Sequence, residues 1–295
     1  MRLRALAPAK VNLSLFLGDT REDGRHRLVT VFESLSLADI VDLEVIEAAG
    51  DEVICPGVEG ENLAALALVG LRARGWDGPP VRIEIDKRIP VAGGMAGGSA
   101  DAAAALRLAM AVAPGRAEEV EAIAVELGAD VPSQLLPGIA LGTGAGEVVE
   151  HFEPLAEHAF VVLPSSEFEL STADVFSEAD RLGLPRADGE LDGLYDELVA
   201  ALVPDGSLPD RLLVNDLEPA AVSLCPWCGD ALDALRAVGA QHAMVSGSGP
   251  TVVGIWWDLG AVGRAFSAAQ ELRVDYPLAV GAEPVTAEFA APLLT

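Results

Sequence analysis

The feature that most restricts the fold is the run from Val81 to Met110. Val81, Ile83 and Ile85 alternate with Arg82, Glu84 and Asp86, the period-two pattern of a strand with one buried face. Lys87-Arg88-Ile89-Pro90 then leads into Val91-Ala92-Gly93-Gly94-Met95-Ala96-Gly97-Gly98-Ser99-Ala100-Asp101, and an Ala-rich helix is predicted over 102–110. Four glycines between Pro90 and Ser99 leave backbone amides unshielded by side chains, and the following helix offers its positive N-terminal end. That combination suits a phosphate. No Gly-Lys-Ser/Thr follows, so this is not a Walker loop, and the spacing of the dinucleotide-binding glycines is absent as well. A tight turn with close helix packing would give the same local pattern.

The other elements surround this motif. Val11, Leu13, Leu15 and Leu17 alternate with Lys10, Asn12 and Ser14, which predicts a strand presenting Lys10 beside Asn12. Further extended segments are predicted over 26–32 and 41–46, with a polar turn over 19–24 between the first two strands. Helices are predicted over 62–72, 117–127, 230–238 and 262–272, and strands over 159–163, over 251–256 and near Val285. The segment 138–146 reads as turns, and 185–209 as loop around one short helix. A domain boundary is expected near Pro154, giving domains 1–154 and 155–295.

Net charge narrows the partners. At −27, the chain repels phosphate backbones and anionic lipid at long range, so neither nucleic acid nor a membrane surface is expected. No stretch of 18 apolar residues occurs, and the start lacks the pattern of a signal peptide. A cytoplasmic protein is therefore expected, as a monomer or a homodimer. Its three cysteines are too few for a disulfide framework. Cys225 and Cys228 form a CxxC without a second pair at zinc-ligand spacing, and it is read as incidental.

The run from Pro90 to Leu106 resembles the second signature of the GHMP kinases. Pro8-Ala9-Lys10-Val11-Asn12 and Val245-Ser246-Gly247-Ser248-Gly249-Pro250-Thr251 resemble the first and third, in the same order and separation. Lys10 with Asn12, Asp23-Gly24-Arg25-His26, Glu61-Asn62-Leu63, Asp86 to Pro90 and Gly128-Ala129-Asp130-Val131-Pro132 resemble one branch of that family. Its acceptor is a small molecule, the cytidylyl diphosphate of methylerythritol. The resemblance covers nearly the whole chain and is strongest over the first 150 residues.

It implies an α+β, GHMP kinase-like fold of two domains. The first is similar to the second domain of a small-subunit ribosomal protein, and the second is ferredoxin-like. It also implies ATP as phosphoryl donor, with Mg²⁺ neutralising its charge. Lys10 and Asp130 become the candidate catalytic pair, with Asp130 as base for the acceptor hydroxyl; on local sequence alone, Asp130 reads as a helix N-cap. ATP is expected at Asn62, Leu63, Lys87, Pro90, Ala92, Gly93, Gly94, Met95, Ala96, Gly97, Gly98, Ser99 and Thr172. Alanine at 100 replaces the family's usual second serine.

The acceptor is expected at Asn12, Arg25, His26, Phe32 and Phe176. Arg25 departs from the family pattern, which has tyrosine there; a guanidinium plane can also stack on a base. The alternative is that Arg25 faces solvent in a charged turn beside Arg21 and Arg27. Asp216 and Glu218 read as solvated or capping groups and not as metal ligands. Only two of the nineteen basic residues are lysines, Lys10 and Lys87, and both fall inside motifs.

Overall fold

The computed structural model describes residues 1–58, 60–90, 94–165 and 167–295. Two long strands, β1 (Arg2–Thr20) and β2 (His26–Val45), form an antiparallel pair closed by a turn at 21–25. Gly24 adopts φ +79° there, a left-handed conformation that glycine enters without steric cost. The apolar alternation in this region suggested two shorter extended segments. Glu33, Ser34 and Asp39 break that alternation but are buried within one continuous strand.

The second half of β2 pairs with β4 (Val81–Asp86), and its first half with β5 (Ile139–Thr143). β3 (Glu52–Ile54) runs parallel to β4, β6 (Val148–Phe152) extends β5, and a short terminal strand (Leu293–Leu294) pairs with β1. This is the larger, seven-stranded sheet of the described residues. One of its faces carries α1 (Leu63–Ala73), α2 (Gly97–Val112), α3 (Ala117–Leu127) and the short α4 (Val131–Leu135) over a core that includes Val41, Leu43, Ile83, Ile85, Leu68 and Leu106. Alanines dominate the buried side of α2, so that helix lies close to the sheet.

The smaller sheet joins β7 (His158–Leu163), β8 (His242–Val245), β9 (Val252–Trp257) and β10 (Val280–Ala282) in the order β10-β7-β9-β8, all antiparallel. β7 is buried on both faces. Phe160 and Val162 pack against Val11, Leu13 and Val31 of the larger sheet. Ala159, Val161 and Leu163 face α5 (Thr172–Leu182), α7 (Glu218–Leu224), α8 (Trp227–Ala237) and α9 (Ala261–Leu272). A strand covered on both sides reads as a continuous apolar run and not as an alternating one, as 159–163 does. α6 (Asp188–Ala201) lies against β1 through Leu191 and Leu198, in the same core as Val11 and Leu13.

Several expectations are corrected. The 138–146 segment, read as turns for its glycines, contains β5. A Cβ at Gly142 would lie 2.6 Å from the ring of Phe32, so glycine makes room for an aromatic neighbour and does not break the strand. The 185–209 region holds a helix of 14 residues, although Gly189 and Gly193 weaken its propensity. α2 begins at Gly97 and not at residue 102. The last strand of the smaller sheet is β10 at 280–282; Val285 instead donates its N–H to Ser34 O. Among the described residues, no helix is long and apolar enough to cross a membrane.

Candidate active site

Register shifts in the β1–β2 pair fall between Pro8 and Lys10 and again between Asn12 and Ser14. Such irregularities re-aim side chains, and the two bracket the residues expected to matter. Lys10 is 5% exposed and Asn12 is 2% exposed, yet both border a cavity of about 560 Å³. Lys10 Nζ donates to Asn12 Oδ1 at 2.9 Å. Asn12 Nδ2 in turn donates to Thr30 Oγ1 at 2.7 Å, and that hydroxyl donates to Ser14 O at 2.7 Å. A buried chain of hydrogen bonds across β1 and β2 thus fixes the ammonium, whose remaining donors face the cavity. It also sits 5.1 Å over the Phe32 ring, a favourable cation–π placement.

Asp130 stands at the N-cap position of α4, but its side chain makes no capping hydrogen bond. Instead its Oδ1 lies 3.5 Å from Lys10 Nζ, on a side chain 38% exposed. The capping role suggested by local sequence is therefore not the one it plays; Pro132 lies in the first turn of α4, where a missing N–H costs little.

The glycine segment crosses the same cavity. Lys10 N–H donates to Met95 O at 3.2 Å, tying the segment to β1. Gly94 has φ +72°, and a Cβ there would meet Gly249 O at 2.5 Å, so the segment packs backbone to backbone against the 245–251 motif. Ala96 holds a left-handed φ of 54° at the N-cap of α2 and supplies no side-chain cap. The first amides of that helix therefore have no capping side chain and point their dipole toward the cavity. Pro90, Gly94, Met95, Ala96, Gly97 and Gly98 border the cavity, whereas Ser99 does not. The expected contacts at Ala92 and Gly93 lie outside the described residues.

At one end, the cavity is bordered by Cys55, Asn62, Leu63, Lys87 and Asp101. Asn62 caps α1, accepting from Ala64 N–H and Ala65 N–H at 2.9 and 3.4 Å. Lys87 is not a surface charge. Its ammonium donates to Asp39 Oδ2 at 2.5 Å and Asp101 Oδ2 at 2.7 Å. Burial pushes the Asp101 carboxyl up to about 7 against the pull of Lys87, with the adjacent Asp39 raising it further. For Lys87, burial opposes the charge, but the two carboxylates outweigh it and raise its pKa.

Elsewhere around the cavity stand Leu28, Phe32, Phe176, Ala145 and Thr172. Thr172 Oγ1 lies 3.1 Å from Ser248 Oγ of the third motif. His26 is buried beside Phe176, ring centroids 5.1 Å apart, and its Nε2 contacts Asp180 Oδ1 at 2.8 Å. Arg25 does not border the cavity. Its guanidinium is half exposed and pairs with Asp23 at 2.9 Å and Glu147 at 3.6 Å.

Some contributors carried no signal in the sequence. Thr30 completes the chain from Lys10. Asn215 donates through Nδ2 to Val245 O and Gly247 O, both at 2.7 Å, clamping the third motif; an isolated Asn gives no pattern. Asp216 accepts from Leu17 N–H and Arg186, and Glu218 accepts from Val245 N–H, so both pin backbone.

Known proteins resemble the chain in sequence and in fold. Residues 62–138 match the GHMP kinases N terminal domain, and residues 198–274 match the GHMP kinases C terminal domain. A 4-diphosphocytidyl-2-C-methyl-D-erythritol kinase of Saccharopolyspora erythraea is 43% identical over 297 residues, covering 94% of this chain and 90% of the relative. Its counterpart from Streptomyces coelicolor is 40% identical, covering 96% and 99%. A crystal structure of a 4-(cytidine 5'-diphospho)-2C-methyl-D-erythritol kinase superposes with a TM-score of 0.75 at 32% identity, covering 95% of this chain and 98% of that one. A homoserine kinase from Cytophaga hutchinsonii gives 0.69 at 18% identity, over 100% of this chain and 97% of its own, a likeness of fold alone. The chain belongs to the GHMP kinase family, in its 4-diphosphocytidyl-2-C-methyl-D-erythritol kinase branch.

Proposed function

We propose that the protein transfers the γ-phosphoryl group of ATP to the 2-hydroxyl of 4-diphosphocytidyl-2-C-methyl-D-erythritol, a step in the non-mevalonate route to isoprenoid precursors. The observation that carries this reading is the meeting of Lys10 Nζ and Asp130 Oδ1, 3.5 Å apart, on the cavity bordered by the glycine segment. Phosphoryl transfer asks the protein for little covalent chemistry; it asks for alignment and for charges placed where charge develops.

The chain supplies both. Amides at the start of α2 and the glycine segment receive the terminal phosphates. The Lys10 ammonium is compact enough to lie between a phosphoryl oxygen and the acceptor hydroxyl, and Asn12 with Thr30 stops it from swinging away. Asp130 takes up the hydroxyl proton as the oxygen attacks. Asn62, Leu63 and Thr172 stand around the adenine. Phe32 and Phe176 flank the cytosine, and since His26 Nε2 is engaged by Asp180, a hydrogen bond from His26 to that base goes through Nδ1. Arg25 contributes charge at the turn and no stacking.

Mg²⁺ would neutralise charge on the nucleotide's phosphates, held mainly by phosphate oxygens and water. The class of reaction fits a cytoplasmic enzyme of small-molecule metabolism. An assay of ADP release with Mg²⁺ and either the cytidylyl acceptor or homoserine tests the reading: turnover with the first and not the second is expected, and the opposite preference would replace the acceptor.

A further inference from the structure

The chain's second lysine is held in a manner that direct contact with ATP does not explain. Asp39 comes from β2 and is 0% exposed, Asp101 comes from the second turn of α2 and is 3% exposed, and Lys87 follows β4. Its ammonium joins the two carboxylates, and Asp39 Oδ1 also accepts the N–H groups of Arg88 and Ile89 at 2.5 and 2.8 Å. One ammonium between two carboxylates leaves the cluster a charge short of neutral when both are ionised, and Asp101 Oδ1 is buried with no hydrogen-bond partner among the described residues. Such burial is costly. An arrangement that served stability alone would place apolar groups there at less cost.

The cluster lies directly under the start of the helix that faces the phosphates. A Cβ at Gly97, the first residue of α2, would meet Lys87 Nζ at 3.2 Å and Ile89 at 3.3 Å. Lys87 therefore occupies the place a side chain would take, and Asp101, one turn further on, is drawn to it. The sheet reaches up through a salt bridge and fixes where α2 begins and how it is turned about its own axis. An unpaired cation beneath a helix N-terminus would oppose the dipole; the two carboxylates remove that opposition.

We propose that Asp39, Lys87 and Asp101 form a positioning cluster that aims the first amides of α2 at the terminal phosphates of ATP, so that Lys87 acts on the nucleotide through the helix and not by touching it. This rests on the reading of the cavity as an ATP site, and turnover by the unaltered enzyme tests that reading separately. Asp39, Lys87, Asp101 and Cys55 are the titratable groups that face one another here.

The test compares Lys87→Met, Asp101→Asn and the double variant, reading KM for ATP, KM for the acceptor, and the affinities for ADP and for adenosine. Asp101→Asn keeps the shape and the helix, and the double variant avoids leaving two carboxylates facing an apolar chain. Each variant is expected to raise KM for ATP and weaken ADP about tenfold or more, as small misplacements of binding groups do, with adenosine affinity and acceptor KM within about twofold. The double variant should cost no more than the worse single one, because the three groups act as a unit. A matching loss of adenosine affinity would overturn the proposal in favour of contact with the base. Tighter ATP binding by Asp101→Asn would overturn it in favour of a Lys87 that touches phosphate once released.

Discussion

The protein has two lysines, and the structure treats them in opposite ways. Lys10 is anchored by one neutral acceptor, Asn12, and meets its carboxylate, Asp130, at 3.5 Å on a partly exposed side chain. Lys87 is closed between two buried carboxylates at 2.5 and 2.7 Å. Both border the same cavity. A cation with a loose, solvent-reachable counterion keeps donors for a ligand, whereas one saturated by buried charge is spent on holding protein together. Proximity to a cleft therefore says little about which lysine does chemistry; the tightness of its partners says more.

Variants break this contrast in graded fashion. Lys10→Ala or Asp130→Ala should each lower kcat by roughly a hundredfold or more, the usual scale for a lost acid–base or charge-stabilising group. Circular dichroism should show the fold retained, since Asp130 makes no capping hydrogen bond and, among the described residues, Lys10 makes no salt bridge beyond it. Both variants turning over at near-normal rates would erase the distinction. The Lys87 variants should act on ATP affinity first and on kcat second.

Gly94→Ala should come next. Its φ of +72° costs a substituted residue about 1 kcal/mol, and the Cβ would press on Gly249 O at 2.5 Å. A lowered thermal midpoint with a raised KM for ATP is expected; unchanged values for both would mean that the glycine segment and the third motif do not need their close approach.

A smaller effect belongs to the back of β2. Glu33 accepts from His158 Nε2 at 2.7 Å, with both side chains buried between the sheets and the imidazole stacked on Trp257. Burial would lower the imidazole's pKa, but the Glu33 charge and hydrogen bond outweigh it and raise it above 6.5. A histidine with a raised folded-state pKa contributes stability fully present below 6.5 and lost as pH rises through the raised value. Thermal midpoints measured upward from pH 6.5 should fall in the unaltered protein, and Glu33→Gln should flatten that fall. An equal slope in both would remove the pair as its source. The smallest change is expected from Arg25→Ala: acceptor KM within a few-fold, because the guanidinium is exposed and bound to Asp23 and Glu147. A change of tenfold or more would return it to the acceptor pocket.

How far these assignments can be read from sequence depends on whether the responsible interactions are local. The strand, glycine segment and helix from 81 to 110 are legible because period and composition change within a few residues, and the Lys10–Asn12 alternation is legible for the same reason. The middle of β2 is not, because its buried Glu33, Ser34 and Asp39 answer partners 48 to 125 positions away. β5 is hidden because Gly142 makes room for Phe32, a tertiary demand with no local mark. Lys87 stands out as a motif residue, but nothing near it in the chain announces Asp39, and Asp101 looks like one more residue of an Ala-rich helix. Long-range ion pairs are set by topology, and topology is what single-chain periodicity carries least well.

Phosphoryl transfer is assigned to the place where Lys10 and Asp130 meet beside the start of α2. Phosphorus NMR of a reaction containing ATP, Mg²⁺ and 4-diphosphocytidyl-2-C-methyl-D-erythritol tests it most directly. A new phosphomonoester resonance should grow with the unaltered protein and stay near background with Lys10→Ala. Its growth at the same rate in both proteins would place the chemistry away from Lys10, and ATP loss with no phosphomonoester in either would rule out transfer to this acceptor.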